Sequence, residues 1–178
     1  MSLQALARFA RSRPMVERCD LCAVELGAVH DHLLDDAAML RCACTACAPL
    51  MEAKWKRVRR AIARAAPITD AAWAALDVPV ALAFVVVTAS GPVVRFPSPA
   101  GLTQGSPPAT AWAQLAIDLV PEVEALLIDR RTSTSTRTRT GTSTTTWRVS
   151  IDVCYELVAV LRARGDVDAF FAQLEARC

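Results

Sequence analysis

Cys19-Asp-Leu-Cys22 and, 21 residues further on, Cys44-Thr-Ala-Cys47 decide how the amino end folds. Each Cys-x-x-Cys turn can aim two sulfurs at one point, and a hairpin between two such turns brings four sulfurs together. The residues between them supply that hairpin. Val29–Leu34 is expected as one strand, Asp35-Asp36-Ala37-Ala38 as the turn and Met39–Ala43 as the return strand. Five of the seven cysteines (Cys19, Cys22, Cys42, Cys44, Cys47) fall within 29 residues. Four thiolates satisfy a tetrahedral Zn²⁺ without further donors, so Cys19, Cys22, Cys44 and Cys47 are the expected ligands of a structural zinc ion. On an extended strand Cys42 shares a face with Cys44, where it could replace one ligand, bind a second metal or sit buried as a small apolar residue. Iron in a rubredoxin-like site is the alternative. Ala23 and Ala48 stand where such knuckles usually carry Gly for a left-handed turn, which counts against iron.

The segment 19–47 has few large apolar side chains, mainly leucines with Val24, Val29 and Met39. Its own core can hardly offset the entropy of ordering its backbone, whereas a zinc-finger-type site contributes an apparent ~10–16 kcal/mol. Cys19→Ser or Cys44→Ser is therefore expected to unfold this module and to cost much less beyond residue 68.

His30-Asp31-His32 lies inside the same module. On a strand both imidazoles share one face, so His30 or His32 could replace a cysteine ligand or hydrogen-bond a metal-bound sulfur. A Cys-x-x-Cys, His-Asp-His, Cys-x-x-Cys order resembles the zinc-braced nucleases of the HNH type, which activate water with a histidine beside a divalent cation. Val29 stands where those enzymes carry an acidic residue, and Ala48-Pro49 where a further His or Asn is expected. Next comes Lys54-Trp-Lys-Arg-Val-Arg-Arg60, with Arg64 beyond. As a helix it would show Met51, Trp55, Val58 and Ile62 as an apolar stripe; as a strand it would set Trp55 and Arg57 against Lys56 and Val58. Residues 1–67 hold 11 basic and 7 acidic side chains, against 9 and 11 in residues 68–178. A zinc module beside a basic stretch is a nucleic-acid format. A solvated or protein-docking face is the commoner outcome.

At 178 residues with 53% hydrophobic and 21% charged side chains, the chain suits about one globular domain with a small appended module. Its longest apolar run, Val78–Val87, is far short of the roughly 18–20 residues needed to cross a bilayer. The basic segment 1–15 is expected to form a short surface helix with Leu3, Leu6 and Phe9 on one face. It has no apolar stretch of signal-peptide length, so a cytoplasmic location and reduced thiols are expected.

Beyond the cysteines an α+β pattern runs to the carboxyl end. Helices are expected at 71–76, capped by Thr69-Asp70, and at 109–119, 151–164 and 167–176. Strands are expected at 80–88, 93–96 and 123–128, with one more near 147–151. Pro97-Ser-Pro-Ala-Gly101, Gly105 and Pro107-Pro108 read as a loop. Cys154 falls on the apolar face of its helix and is expected in the core, while Cys178 should be exposed. Thr132–Thr146 is almost wholly Thr, Ser and Arg; such polarity cannot bury apolar area, and a mobile loop is expected.

Leu6-Ala-Arg-Phe9, the two cysteine blocks with Cys42, His30-Asp-His-Leu-Leu-Asp35, Leu76-Asp-Val-Pro-Val80, Phe96-Pro-Ser-Pro-Ala-Gly101, Val123-Glu-Ala-Leu-Leu127 and Ile151-Asp-Val-Cys-Tyr-Glu-Leu-Val158 together resemble a family of small bacterial proteins. Their genes sit beside [NiFe]-hydrogenase structural and accessory genes. The resemblance implies an accessory role through contacts with a hydrogenase subunit or maturation factor. It implies no activity, and it favours strand over helix at 54–60. The expected organisation is an N-terminal helix (1–15), a zinc-ribbon or treble-clef-like module (16–52) and an α+β domain with an antiparallel sheet (53–178). A non-catalytic zinc-binding accessory protein is the first functional expectation. A nucleic-acid-binding protein or degenerate HNH-type nuclease using residues 54–64 is the alternative.

Overall fold

The apolar run Leu82–Thr88 forms β5, one of the inner strands of a six-stranded antiparallel sheet. A strand covered on both faces needs apolar side chains in both directions, which is why this run shows no polar alternation. A computed structural model describes residues 16–98, 101–131 and 144–178. The expected helix at 1–15 and most of the Thr/Ser tract, 132–143, lie outside the described residues.

The described residues form two sheets. The first is three-stranded, in the order β2-β1-β3: β1 (Asp31–Leu34), β2 (Leu40–Ala43) and β3 (Lys56–Val58). A short helix, α1 (Cys47–Met51), follows β2. The second sheet has the order β4-β9-β8-β5-β6-β7, from β4 (Ile62–Arg64), β6 (Gly91–Ser98), β7 (Gly101–Gly105), β8 (Glu124–Asp129) and β9 (Thr145–Ser150) around β5. Helices α2 (Asp70–Ala75) and α3 (Ala109–Gln114) cover one face, while α4 (Ile151–Arg162) and α5 (Val167–Ala176) cover the other. The fold is α+β.

Alternate residues of the inner strands feed the two faces. Phe84, Val86, Leu127 and Trp147 pack under Cys154, Leu157 and Phe171, whereas Val85, Leu126 and Ile128 pack with Leu76 and Leu119. Trp147 stacks on Phe171 with centroids 5.0 Å apart. The first core also takes in Leu34 and Val58 from the small sheet, so the two sheets share apolar packing. The cysteine module has little core of its own: its separate apolar cluster consists of buried Leu33, Ala43 and Ala48, with Met51 and Trp55 partly buried against it.

Several boundaries differ from the sequence reading, each for a physical reason. Lys56–Val58, expected at the start of the second domain, pairs with β1 from His32↔Val58 to Leu34↔Lys56, so the small sheet runs to residue 58 and not 52. The basic stretch forms two short strands in different sheets, and Arg59-Arg60 carries the chain between them. Pro97 and Gly101 belong to a hairpin of two strands, paired Pro97↔Leu102 and Ser98↔Gly101, where a loop was expected. The strand tolerates Pro97 because pairing of β6 with β5 ends at Arg95; beyond it β6 has one neighbour and less need of a backbone donor. Helix α3 stops at Gln114, because Ala116 turns left-handed at φ 50°. Thr145 and Thr146 leave the expected loop for β9, where the Thr146 hydroxyl donates to the carbonyls of Ala65 and Ala66 at 3.0 and 2.8 Å. The helix at α2 has its expected cap, with Thr69 Oγ1 accepting from the Ala72 N–H at 3.1 Å.

Candidate metal centre

The first cysteine pair sits on a tight turn. The Cys19 carbonyl accepts from the Ala23 N–H and the Val24 carbonyl from the Cys19 N–H, both at 2.8 Å. Closing the turn requires a left-handed residue, and Ala23 supplies it at φ 61° in spite of its Cβ. Asp20 fixes this turn to β2: its N–H donates to the Cys42 carbonyl at 2.9 Å, and its carboxylate accepts from the Cys42 N–H at 2.8 Å. The second pair leads into α1. There the N–H groups of Cys47 and Ala48 donate to the Cys44 carbonyl, each at 3.0 Å. Ala48 is helical, so the left-handed position foreseen at both knuckles exists only at the first. The order is knuckle, hairpin, knuckle and helix.

Between the knuckles the hairpin turns on Asp35, whose side chain accepts from the N–H groups of Ala37 (3.0 Å) and Met39 (2.9 Å). The Met39 N–H, with help from Ala37 and Arg41, holds the Asp35 carboxyl below its ordinary range against partial burial. That turn sets the register Asp31↔Ala43 to Leu34↔Leu40, which returns the second knuckle to the first. As a result the sulfurs of Cys19, Cys22, Cys44 and Cys47 lie within 4.8 Å of one another. Cys22 Sγ and Cys44 Sγ are 3.8 Å apart, and the Cys44 N–H donates to Cys19 Sγ at 3.4 Å.

Electrostatics match a cation-binding cluster. Burial pushes the Cys19 thiol up, but N–H groups of Cys44, Cys22 and Leu21 outweigh it and bring the group down to about 6. The Cys47 N–H lowers Cys44 in the same way. Cys47 is pushed up to about 12, first by the hydrogen it shares with Cys44 and then by Cys22 and burial. Four sulfurs this close cannot all be anionic without a positive charge among them, and these four could hold a metal ion.

A second group gathers on the small sheet. One ring nitrogen each of His30 and His32 and the sulfur of Cys42 also lie within 4.8 Å of one another. Cys42 is the cross-strand partner of His32, so the set is separate from the four sulfurs. His32 Nδ1 lies 3.1 Å from Asp152 Oδ2 at the start of α4. Burial pushes Asp152 up, yet hydrogen bonds from His32 and Ser150 and the charge of Arg60 bring it down to about 2. Burial, with the nearby charges of Glu17, Asp20 and Cys19, raises Cys42. Asp152 was not foreseen. It lies 120 residues from His32, beyond the reach of any local pattern, and its placement at the head of a strongly amphipathic helix was the available signal.

Residues 18–178 match the model of a family described as a family of unknown function, DUF5947. The chain belongs to the DUF5947 family. No curated protein and no solved structure matches it. The DUF5947 match begins just before the first knuckle and ends at the last residue, so both sheets lie within the family unit. In this DUF5947 chain the basic stretch is largely occupied by acidic partners. Lys56 pairs with Glu122 at 2.5 Å, and Arg57 with Asp31 and Glu52 at 2.7 and 2.8 Å. Arg60 pairs with Glu156 at 2.5 Å, and Arg64 pairs with Glu175. No helix among the described residues is long and apolar enough to cross a membrane.

Proposed function

We propose that this protein is a non-catalytic accessory protein built on a structural Zn²⁺ at Cys19, Cys22, Cys44 and Cys47. It acts by docking on a protein partner, and the sequence resemblance names a [NiFe]-hydrogenase subunit or maturation factor. The observation that carries the metal assignment is the spacing of the sulfurs. Zinc–sulfur bonds of about 2.3 Å give a tetrahedron with edges of about 3.8 Å. Cys22 Sγ and Cys44 Sγ stand 3.8 Å apart. An all-thiolate set fills zinc's coordination sphere and leaves no position for substrate, which is the mark of a structural site.

The docking role draws support from where apolar surface lies. Among the described residues the exposed large apolar side chains are Val16, Leu21, Val24, Val29, Met39, Leu50 and Val120; all but Val120 belong to the cysteine module. Val29 is 86% exposed and Leu50 78%. A module this small with outward-facing valine and leucine is suited to a partner surface. Intramolecular pairing of Lys56, Arg57, Arg60 and Arg64 weighs against phosphate as their target.

The test is affinity capture of the tagged full chain from a native lysate, with the recovered polypeptides identified. Hydrogenase subunits or maturation factors should be recovered with the intact protein and lost with Val29→Asp or Leu50→Asp. Salt-dependent retention on DNA, with no hydrogenase polypeptide captured, would replace this reading with the nucleic-acid one.

A further inference from the structure

We infer that His30, His32 and Cys42 form a second metal site, distinct from the four-cysteine centre, which takes a borderline divalent ion of the zinc class. The inference stands on hydrogen-bond geometry and does not depend on the proposed partner.

His30 Nδ1 is 3.0 Å from the Gly27 carbonyl oxygen, an acceptor with no hydrogen to give. The hydrogen must therefore be on Nδ1, and the Glu17 carboxylate, 3.7 Å from the same nitrogen, favours it there as well. The neutral ring then carries a bare lone pair on Nε2. That atom is buried and has no hydrogen-bond partner, in a side chain only 7% exposed. Buried imidazole nitrogens are normally satisfied, so an orphaned lone pair requires a reason.

His32 is likewise held through its Nδ1. Its Nδ1 faces the Asp152 carboxylate at 3.1 Å, and its side chain is 13% exposed. The carboxylate accepts the hydrogen, which leaves the lone pair on Nε2. A histidine that gives one ring N–H to a carbonyl or carboxylate and presents the other nitrogen as a lone pair is oriented as metal-ligating histidines are. Two such rings meet with centroids 4.7 Å apart at 79°, and Cys42 faces His32 across the β1–β2 ladder. The Cys42 backbone is held by both of its hydrogen bonds to Asp20.

The donor set is two imidazoles and one thiolate. Zinc–nitrogen bonds of about 2.0–2.1 Å and a zinc–sulfur bond of about 2.3 Å call for donor separations of about 3.3–3.6 Å. One nitrogen of each ring and the Cys42 sulfur already lie within 4.8 Å of one another, and side-chain rotations close the rest of the gap. Imidazole and thiolate suit zinc and its softer neighbours and disfavour magnesium or calcium. With three protein donors, the fourth position falls to solvent in the isolated chain.

The test uses the full chain loaded with ¹¹³Cd²⁺, dialysed, and examined by elemental analysis and cadmium NMR. Two ions per chain are expected, with one tetrathiolate resonance and a second at the lower frequency of a mixed nitrogen–sulfur set. Cys42→Ser and His30→Ala should each remove the second resonance and leave the tetrathiolate one in place. A single tetrathiolate resonance in the unaltered chain overturns the inference, and that measurement needs no variant to fold. So does a tetrathiolate resonance that shifts in Cys42→Ser, because Cys42 would then belong to the first centre. Absence of the tetrathiolate signal with the second retained would instead refute the structural-zinc reading alone.

Discussion

Replacing Cys44 with Ser tests how far the influence of the proposed metal reaches. A structural zinc centre supplies an apparent ~10–16 kcal/mol to the fold that holds it. Within the module the fully buried apolar side chains are Leu33, Ala43 and Ala48. One leucine contributes roughly 1.5–3 kcal/mol and the alanines less, so the three-stranded sheet is expected to unfold without the ion. The effect does not stop there, because Leu34 and Val58, each 4% exposed, are part of the core under α4 and α5. Withdrawing both removes roughly 3–6 kcal/mol from the large sheet, at about 1.5–3 kcal/mol per side chain. For a chain of 178 residues that corresponds to a fall in Tm on the order of 10–20 °C. Hydrogen exchange resolved by peptide, run beside a thermal melt, reads both parts. Amides of β1, β2 and β3 should lose protection fully, while those of β5 and β8 stay protected in a less stable sheet. Equal loss in both sheets would refute the reasoning, and so would an unchanged melting temperature.

Four further outcomes can be checked. Ala23→Gly relieves a left-handed alanine at φ 61° and should raise stability by about 1 kcal/mol in denaturant titration of the metal-loaded protein. Arg148→Ala removes the guanidinium that donates to buried Glu124 at 2.9 and 3.1 Å; because Arg148 is itself half exposed, a loss of roughly 1–2 kcal/mol is expected by the same titration. Thr69→Ala deletes the α2 cap and should cost about 1 kcal/mol in a thermal or chemical melt. In native thiol labelling Cys178 should react at once, whereas Cys154, fully buried and raised by that burial, should react only after unfolding.

Local chemistry made much of this molecule legible in its residues. The Cys-x-x-Cys spacing foretold four converging sulfurs, Asp35 the hairpin turn, Thr69 a helix cap, and the β-branched run at 80–88 a buried strand, observed from Leu82. What escaped was set by distant partners. Lys56–Val58 carries no signal that it belongs to β1 and not to the large sheet, since both would accept a short basic strand. Pro97 and Gly101 read as loop residues because their tolerance depends on β5 ending its pairing at Arg95. The partner of His32 was hidden for the same reason, because Asp152 becomes its neighbour only when α4 docks. That losing a zinc ligand should still reach beyond residue 68, though much less than within the module, was also out of sight, because only the packing of Leu34 and Val58 under the helices joins the two parts.

The pairing of β4 with β9 joins Ile62 to Val149, so that edge of the large sheet cannot form until residue 149 has been made. Every strand and knuckle of the cysteine module, by contrast, lies before residue 59. Contacts close in sequence form sooner than distant ones, and chains emerge amino end first. On the ribosome all four proposed ligands thus become available, and the proposed ion can be captured, while β9 is still untranslated. The folded module then offers Leu34 and Val58 as a ready-made platform on which the later helices settle.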